Sequence, residues 1–216
     1  QGNNNRAIFI YNTESKEVTR ATSGYYSDSQ PVFDPEGKYL YFLTNRRFSP
    51  TYSDFDNSFV YPNATQIAAV TLRKDVDSPL ATRNDEVAME EGDEKEEEAE
   101  KEEEQEKEND ENGKKEMTVD IDFDGFEQRV VLLPTDAGNY TNLSAAKGKV
   151  IIHRLPNSGS GEEKKPIIYF DLEEREEKTI IEEADNYVLS ANGKKLLGMD
   201  NGKLAITPIG SWSSRF

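Results

Sequence analysis

Residues 34–75 read DPEGKYLYFLTNRRFSPTYSDFDNSFVYPNATQIAAVTLRKD. The first four, Asp34-Pro35-Glu36-Gly37, carry a turn signature. Asp accepts hydrogen bonds at the first position, Pro presets φ at the second, and Gly closes the turn. Lys38-Tyr39-Leu40-Tyr41-Phe42-Leu43 follows, too apolar for a strand with one wet face, and so predicts a strand covered on both sides. A long aromatic loop then leads to a second apolar strand from Gln66 to Leu72. Turn, strand, loop and strand in this order form the inner part of a β-sheet unit.

The same phrase returns twice. Ser144-Ala145-Ala146-Lys147-Gly148-Lys149 leads into Val150-Ile151-Ile152, and Ser190-Ala191-Asn192-Gly193-Lys194 leads into Lys195-Leu196-Leu197. An earlier hairpin, Ile10-Tyr11-Asn12-Thr13-Glu14, has a counterpart in Tyr169-Phe170-Asp171-Leu172-Glu173. Gly148 and Gly193 are 45 residues apart, whereas Gly37 and Gly148 are 111 apart. Two insertions, residues 46–64 and 75–117, take up nearly all of the excess. A repeat of roughly 40–50 residues with four short strands is the propeller pattern.

The fold class expected is therefore all-β: a β-propeller fragment of about two full blades plus two partial blades, with a disordered acidic insert. The chain starts with two outer strands, 7–11 and 17–22. A full blade follows at 29–33, 39–44, 66–72 and 126–133. The next comprises 143–146, 149–154, 166–172 and 178–182, and the last begins at Tyr187 and breaks off after 203–207. In domain terms, residues 1–74 hold a partial blade and half of a full one, 75–117 are the insert, and 118–216 hold the remainder. Two blades and two fragments cannot close a ring, so further blades are expected outside this chain, which reads as a piece of a longer protein. Strands in a blade alternate in direction, which places the aromatic loop and the acidic insert on opposite faces.

Charge supports the same partition. The net charge is −17, and residues 85–116 hold 18 acidic and five basic residues, so most of the acidity belongs to one segment. That segment has no apolar periodicity and cannot bury enough surface to offset the entropy of ordering. Its acids lack the spacing and glycine turn of a calcium loop. Negative charge on this scale repels nucleic acid and anionic membrane surfaces. No apolar run reaches the roughly 18 residues of a membrane helix, and the opening Gln-Gly-Asn-Asn-Asn is not a signal peptide. There is no cysteine, which excludes disulfides and leaves the compartment open.

The loop 46–65 holds Phe48, Tyr52, Phe55, Phe59 and Tyr61 beside Arg46, Arg47, Asp54 and Asp56. So aromatic a loop is expected to pack on a neighbouring blade or domain. It can also line a path for peptides, with Arg46 or Arg47 forking onto a carboxylate. The substrate-binding candidates are Arg46, Arg47, Tyr52, Phe55 and Tyr61. His153, the sole histidine, lies beside Ile151 and Ile152 in a strand, a poor setting for a metal ligand or a triad, and no Gly-x-Ser-x-Gly elbow surrounds any serine. Neither catalytic residue, metal nor cofactor is expected. Three Asn-x-Ser/Thr triplets, at Asn63, Asn139 and Asn142, are too short a pattern to carry a reading.

DPEGKYLYFLTNRRFSPTYSDF with YPNATQIAAVTLRKD, then VDIDFDGFEQRVVLLPTDAGNY and DLEEREEKTIIEEADNYVLSANGKKLL, resembles the propeller region of tricorn-type proteases, which are similar to S41 serine peptidases carrying a PDZ domain. The resemblance spans nearly everything outside the acidic insert, and it implies the later part of a second propeller. It further implies a parent serine endopeptidase in which the propellers gate and guide peptides to a downstream catalytic module. The partners implied are peptide substrates, the remaining blades, and the PDZ and peptidase domains, with a homo-oligomer possible. The family's catalytic residues have no matching motif here. By resemblance the protein is cytoplasmic, with the periplasm as the alternative. The competing reading is a TolB-like binding propeller, in which DPEGK-type turns also recur.

Overall fold

The strand at the centre of the quoted stretch, Tyr39–Thr44, has five consecutive buried residues from Leu40 onward, and its partner Gln66–Thr71 is buried throughout. In the computed structural model, which describes residues 3–47, 50–55, 57–82 and 119–210, alternate residues of these strands serve different cores. Leu40, Phe42, Ala68 and Val70 face one side, where Ile8, Ala21 and Phe126 meet them. Tyr41, Leu43, Ile67 and Ala69 face the other, against Leu143, Val150, Ile152, Ile168 and Phe170. The period-2 alternation of a strand thus makes one apolar run the shared wall of two cores.

In chain order the strands are β1 (Phe9–Tyr11), β2 (Val18–Arg20), β3 (Asp28–Phe33), β4 (Tyr39–Thr44), β5 (Thr51–Ser53), β6 (Ser58–Val60), β7 (Gln66–Thr71), β8 (Val131–Leu132), β9 (Asn139–Ala146), β10 (Lys149–Leu155), β11 (Ile167–Asp171), β12 (Glu176–Ile181), β13 (Asn186–Leu189), β14 (Lys195–Asp200) and β15 (Lys203–Pro208). They form a two-stranded sheet β1-β2, four-stranded sheets β3-β4-β7-β8 and β9-β10-β11-β12, and a three-stranded sheet β13-β14-β15. Every pairing is antiparallel. These are the expected blades in the expected order: a partial one, two full ones and a partial one. A third core, between the second full blade and the last, joins Ile151, Ile167, Tyr169 and Ile180 to Tyr187 and Leu196. The first strands of successive blades, β3, β9 and β13, lie side by side.

The repeated turns form as read. Gly37 N–H donates to Asp34 O at 2.9 Å, Gly193 N–H donates to Ser190 O at 2.9 Å, and Gly37, Gly148 and Gly193 all have φ near +67° to +69°. The side chain at the first position contributes too: Asp34 Oδ2 accepts from Lys38 N–H at 3.1 Å and Ser190 Oγ from Lys195 N–H at 2.9 Å.

Besides β9, which begins at Asn139 rather than at Leu143, two elements differ from the sequence reading. Residues 126–133 are not one strand. A 3-10 turn, Glu127–Arg129, precedes a two-residue strand, because Phe126 is buried between blades and Arg129 is held by backbone carbonyls. The aromatic loop also contains an unforeseen hairpin, β5-β6, on which Tyr52 and Phe59 pack edge to face at 5.5 Å.

All of these sheets belong to one compact unit, residues 1–80 and 120–216. The second unit, 81–119, falls almost wholly outside the described residues, as do Phe48, Asp56 and the acidic segment read as disordered. The insert leaves and returns at the β7 end opposite to the aromatic loop, with Asp122 N–H donating to Leu72 O at 2.8 Å.

Candidate functional site

Where β4 ends, Asn45, Arg46 and Arg47 lie beside Tyr25 and Tyr26. The returning loop brings Tyr61, Asn63, Ala64 and Thr65 opposite them, and Asn139 of β9 completes a cavity of about 650 Å³.

Hydrogen bonds to the next blade fix the return of the loop. Asn63 adopts φ +52°, a left-handed conformation that asparagine tolerates better than most residues. From there its Oδ1 accepts from Asn139 Nδ2 at 2.9 Å and from Ser158 N–H at 2.8 Å. Thr65 and Gly138 exchange backbone hydrogen bonds of 3.1 and 3.0 Å. The side-chain amides of Asn63 and Asn139 are therefore structural, which argues against glycosylation at those two triplets.

The adjacent arginines have separate environments. Arg46 Nη2 reaches Asp28 Oδ2 at 2.9 Å and Glu127 Oε1 at 2.8 Å. Its guanidinium carbon lies 5.0 Å from the Tyr26 ring centre and 5.7 Å from that of Phe42. Asp28, buried, also accepts from Thr44 Oγ1 at 2.6 Å. Burial works to raise the Glu127 carboxyl, but the Ser23 hydroxyl and amide, with Arg46, outweigh it and hold the group below its ordinary value. Arg46 thus ties β3, β4, the 3-10 turn and the loop after β2 into one knot. Arg47 is exposed, with no ion pair to any described residue.

Of the five candidates, the structure gathers Arg46, Arg47 and Tyr61 at the cavity. It places Tyr52 and Phe55 on the hairpin, with Phe55 98% exposed. Tyr25, Tyr26, Asn45, Ala64 and Thr65 are not among the sequence candidates for the site, and Asn63 and Asn139 enter the sequence reading only as members of Asn-x-Ser/Thr triplets. The adjacent Tyr25-Tyr26 pair in a Ser/Gly segment was the one signal available, and its rings meet edge to face at 5.0 Å.

His153 is 2% exposed, its Nε2 3.0 Å from Ala184 O, and burial holds the imidazole below its ordinary pKa. Among the described residues no cluster of His, Asp and Glu could hold a metal ion, and no helix is long and apolar enough to cross a membrane.

Comparison with known proteins gives these features a family. Tricorn protease homolog 1 of Streptomyces coelicolor is 31% identical over 215 residues, covering 94% of this chain and 19% of that protein. The tricorn protease of Thermoplasma volcanium is 26% identical over 203 residues, covering 90% of this chain and 17% of that one. The chain therefore spans less than one-fifth of the length of either relative. The crystal structure of the tricorn protease superimposes with a TM-score of 0.66 at 19% identity, covering 94% of this chain and 18% of that one, which shows a shared fold. The family model described as the tricorn protease second beta propeller domain matches residues 1–210, and the chain belongs to that family.

Proposed function

We propose that this chain is a non-catalytic wall segment of a tricorn-like serine protease of the S41 type, guiding or gating peptides and scaffolding a peptidase module carried elsewhere. One observation carries the reading. The twin arginines are divided, so that Arg46 is bound inside the fold while Arg47, which has no ion pair among the described residues, stands at a tyrosine-lined cavity. A guanidinium in that setting can take a peptide carboxylate through two parallel hydrogen bonds, and Tyr25, Tyr26 and Tyr61 offer ring faces to side chains. Tyr52 and Phe55, on the hairpin formed by the same loop, add exposed aromatic surface. The TolB-like alternative is the weaker one, because the family model and the curated relatives are all tricorn-type.

The partners that follow are peptides, the remaining blades, and the PDZ and peptidase domains of a longer chain. The test is peptide binding by the intact protein. Arg47→Ala is expected to weaken peptides with a free C-terminal carboxylate by about tenfold, in keeping with a charged hydrogen bond of about 1.5 kcal/mol, and to leave amidated peptides unaffected. Arg46→Ala should lower thermal stability instead. Unchanged affinity in Arg47→Ala would refute the assignment.

A further inference from the structure

Gln30 and Asn142 share an unusual position. Both are non-glycine residues in the left-handed region, at φ +51° and +53°, and both sit in β-bulges of the first strand of a blade. On β3 the register steps from Ser29 opposite Leu43 to Val32 opposite Tyr41. On β9 it steps from Ser144 opposite Ile151 to Thr141 opposite His153. Glycine would adopt this φ without steric conflict, so whatever a larger side chain contributes here must come from its carboxamide.

Both carboxamides reach forward to the first strand of the next blade. Gln30 Oε1 accepts from Leu143 N–H at 3.0 Å. Asn142 Nδ2 donates to Tyr187 O at 2.9 Å and to Asn186 Oδ1 at 2.8 Å. Backbone partners fix the polarity: an amide N–H requires the oxygen of Gln30, and a carbonyl requires the nitrogen of Asn142. Asn186 Oδ1 in turn accepts from Tyr187 N–H at 2.9 Å, so it presents oxygen to Asn142. β13 pairs with β14 in regular register and has no bulge.

We propose that the bulge carboxamides are pins that position each blade against the next, Gln30 holding β9 and Asn142 holding β13. The first pin lies between the same two blades that enclose the rim cavity, since Asn45–Arg47 follow β4 in the blade of β3 and Asn139 opens β9. Gln30 is thus a positioning residue for that cavity, a consequence that rests on the peptide reading above. The pins themselves do not depend on it.

Opposite polarity gives an asymmetric test in the intact protein, read by amide hydrogen exchange and thermal melting. Gln30→Glu keeps the acceptor and should leave Leu143 N–H protected, whereas Gln30→Ala should speed its exchange about tenfold. Asn142→Asp loses the donor and sets a carboxylate against two oxygens, so it should melt at a lower temperature than Asn142→Gly, which removes the pin but relieves the backbone. If left-handed conformation alone mattered, Asn142→Asp would match the wild type and Asn142→Gly would exceed it. Either of those results, or a protected Leu143 amide in Gln30→Ala, would overturn the proposal. If Leu143 exchange rises in Gln30→Ala while peptide affinity is unchanged, the pin stands and the rim reading fails.

Discussion

Arg46 and Arg47 are neighbours in the chain, and what separates them is the company each keeps. The partners of Arg46, Asp28 and Glu127, lie 18 and 81 residues away, so no local pattern marks it as internal. His153 offers a sharper test at this scale, because it is the sole histidine and one imidazole signal reports on it. Burial lowers its pKa, while Ala184 O and the Lys165 backbone favour the charged form less strongly, and the charges facing it are Lys165 and Asp185. Below the ordinary value of about 6.5 the unfolded chain binds a proton that the folded chain refuses, so stability is complete above that pH and declines as pH falls. Melting temperatures between pH 7.5 and 5 should show this slope, and His153→Gln should flatten it. An equal slope in the variant would assign the effect to other groups. Glu127 has the same sign at lower pH, its contribution fading as pH falls below the ordinary carboxylate range.

At the scale of elements, the β7–β8 connection shows how a blade tolerates a long insertion. Arg129 donates to Asp124 O at 2.9 Å and to Asp122 O at 2.5 Å, with Nε 3.3 Å from Thr71 O, and Lys74 N–H donates to Asp122 Oδ2 at 2.9 Å. Both roots of the insert are thereby fastened to the end of β7. Replacing residues 83–118 by a short Gly/Ser linker should leave the melting temperature within a few degrees, since a longer loop adds little closure entropy. Arg129→Ala should cost about 2 kcal/mol by leaving carbonyls without donors, measured by denaturant unfolding. A large loss from the linker replacement would mean that the insert itself supports the fold.

The elements divide by legibility for a physical reason. The DPEGK turn and the Tyr39–Thr44 strand depend on local backbone preference and an unbroken apolar run, and both could be read directly. The β5-β6 hairpin and the two bulges depend on how one strand registers against another, and the 3-10 turn at Glu127 on the burial of Phe126 against residues far away in the chain. A bulge is a mismatch between two strands, and one strand's sequence does not record it. The candidate site was half legible for the same reason: the loop supplies Arg47 and Tyr61, while Tyr25, Tyr26 and Asn139 come from elsewhere.

For the molecule as a whole, the blades at either end expose the faces that inner blades bury. Val188, Leu204 and Ile206 are aligned on β13–β15, and Phe9, Tyr11 and Val18 on β1–β2, all more than half exposed. Apolar rows of this kind on sheets mark contact surfaces. The chain on its own is expected to self-associate, and replacing Leu204 and Ile206 together by Lys should yield a smaller species in sedimentation. An unchanged distribution would show that this face is not the one that associates.

The sharing of β4 and β7 between two cores has a further effect on how the protein is made. A sheet whose two faces belong to two different neighbours is not finished when its own last strand has formed. As the chain leaves the ribosome, the β3-β4-β7-β8 blade must wait with Tyr41 and Leu43 bare until β9 and β10 emerge, more than 100 residues after β4. Synthesis would then add order one interface behind the growing end, and a pause or truncation at any blade would leave the same kind of sticky surface for a chaperone to hold.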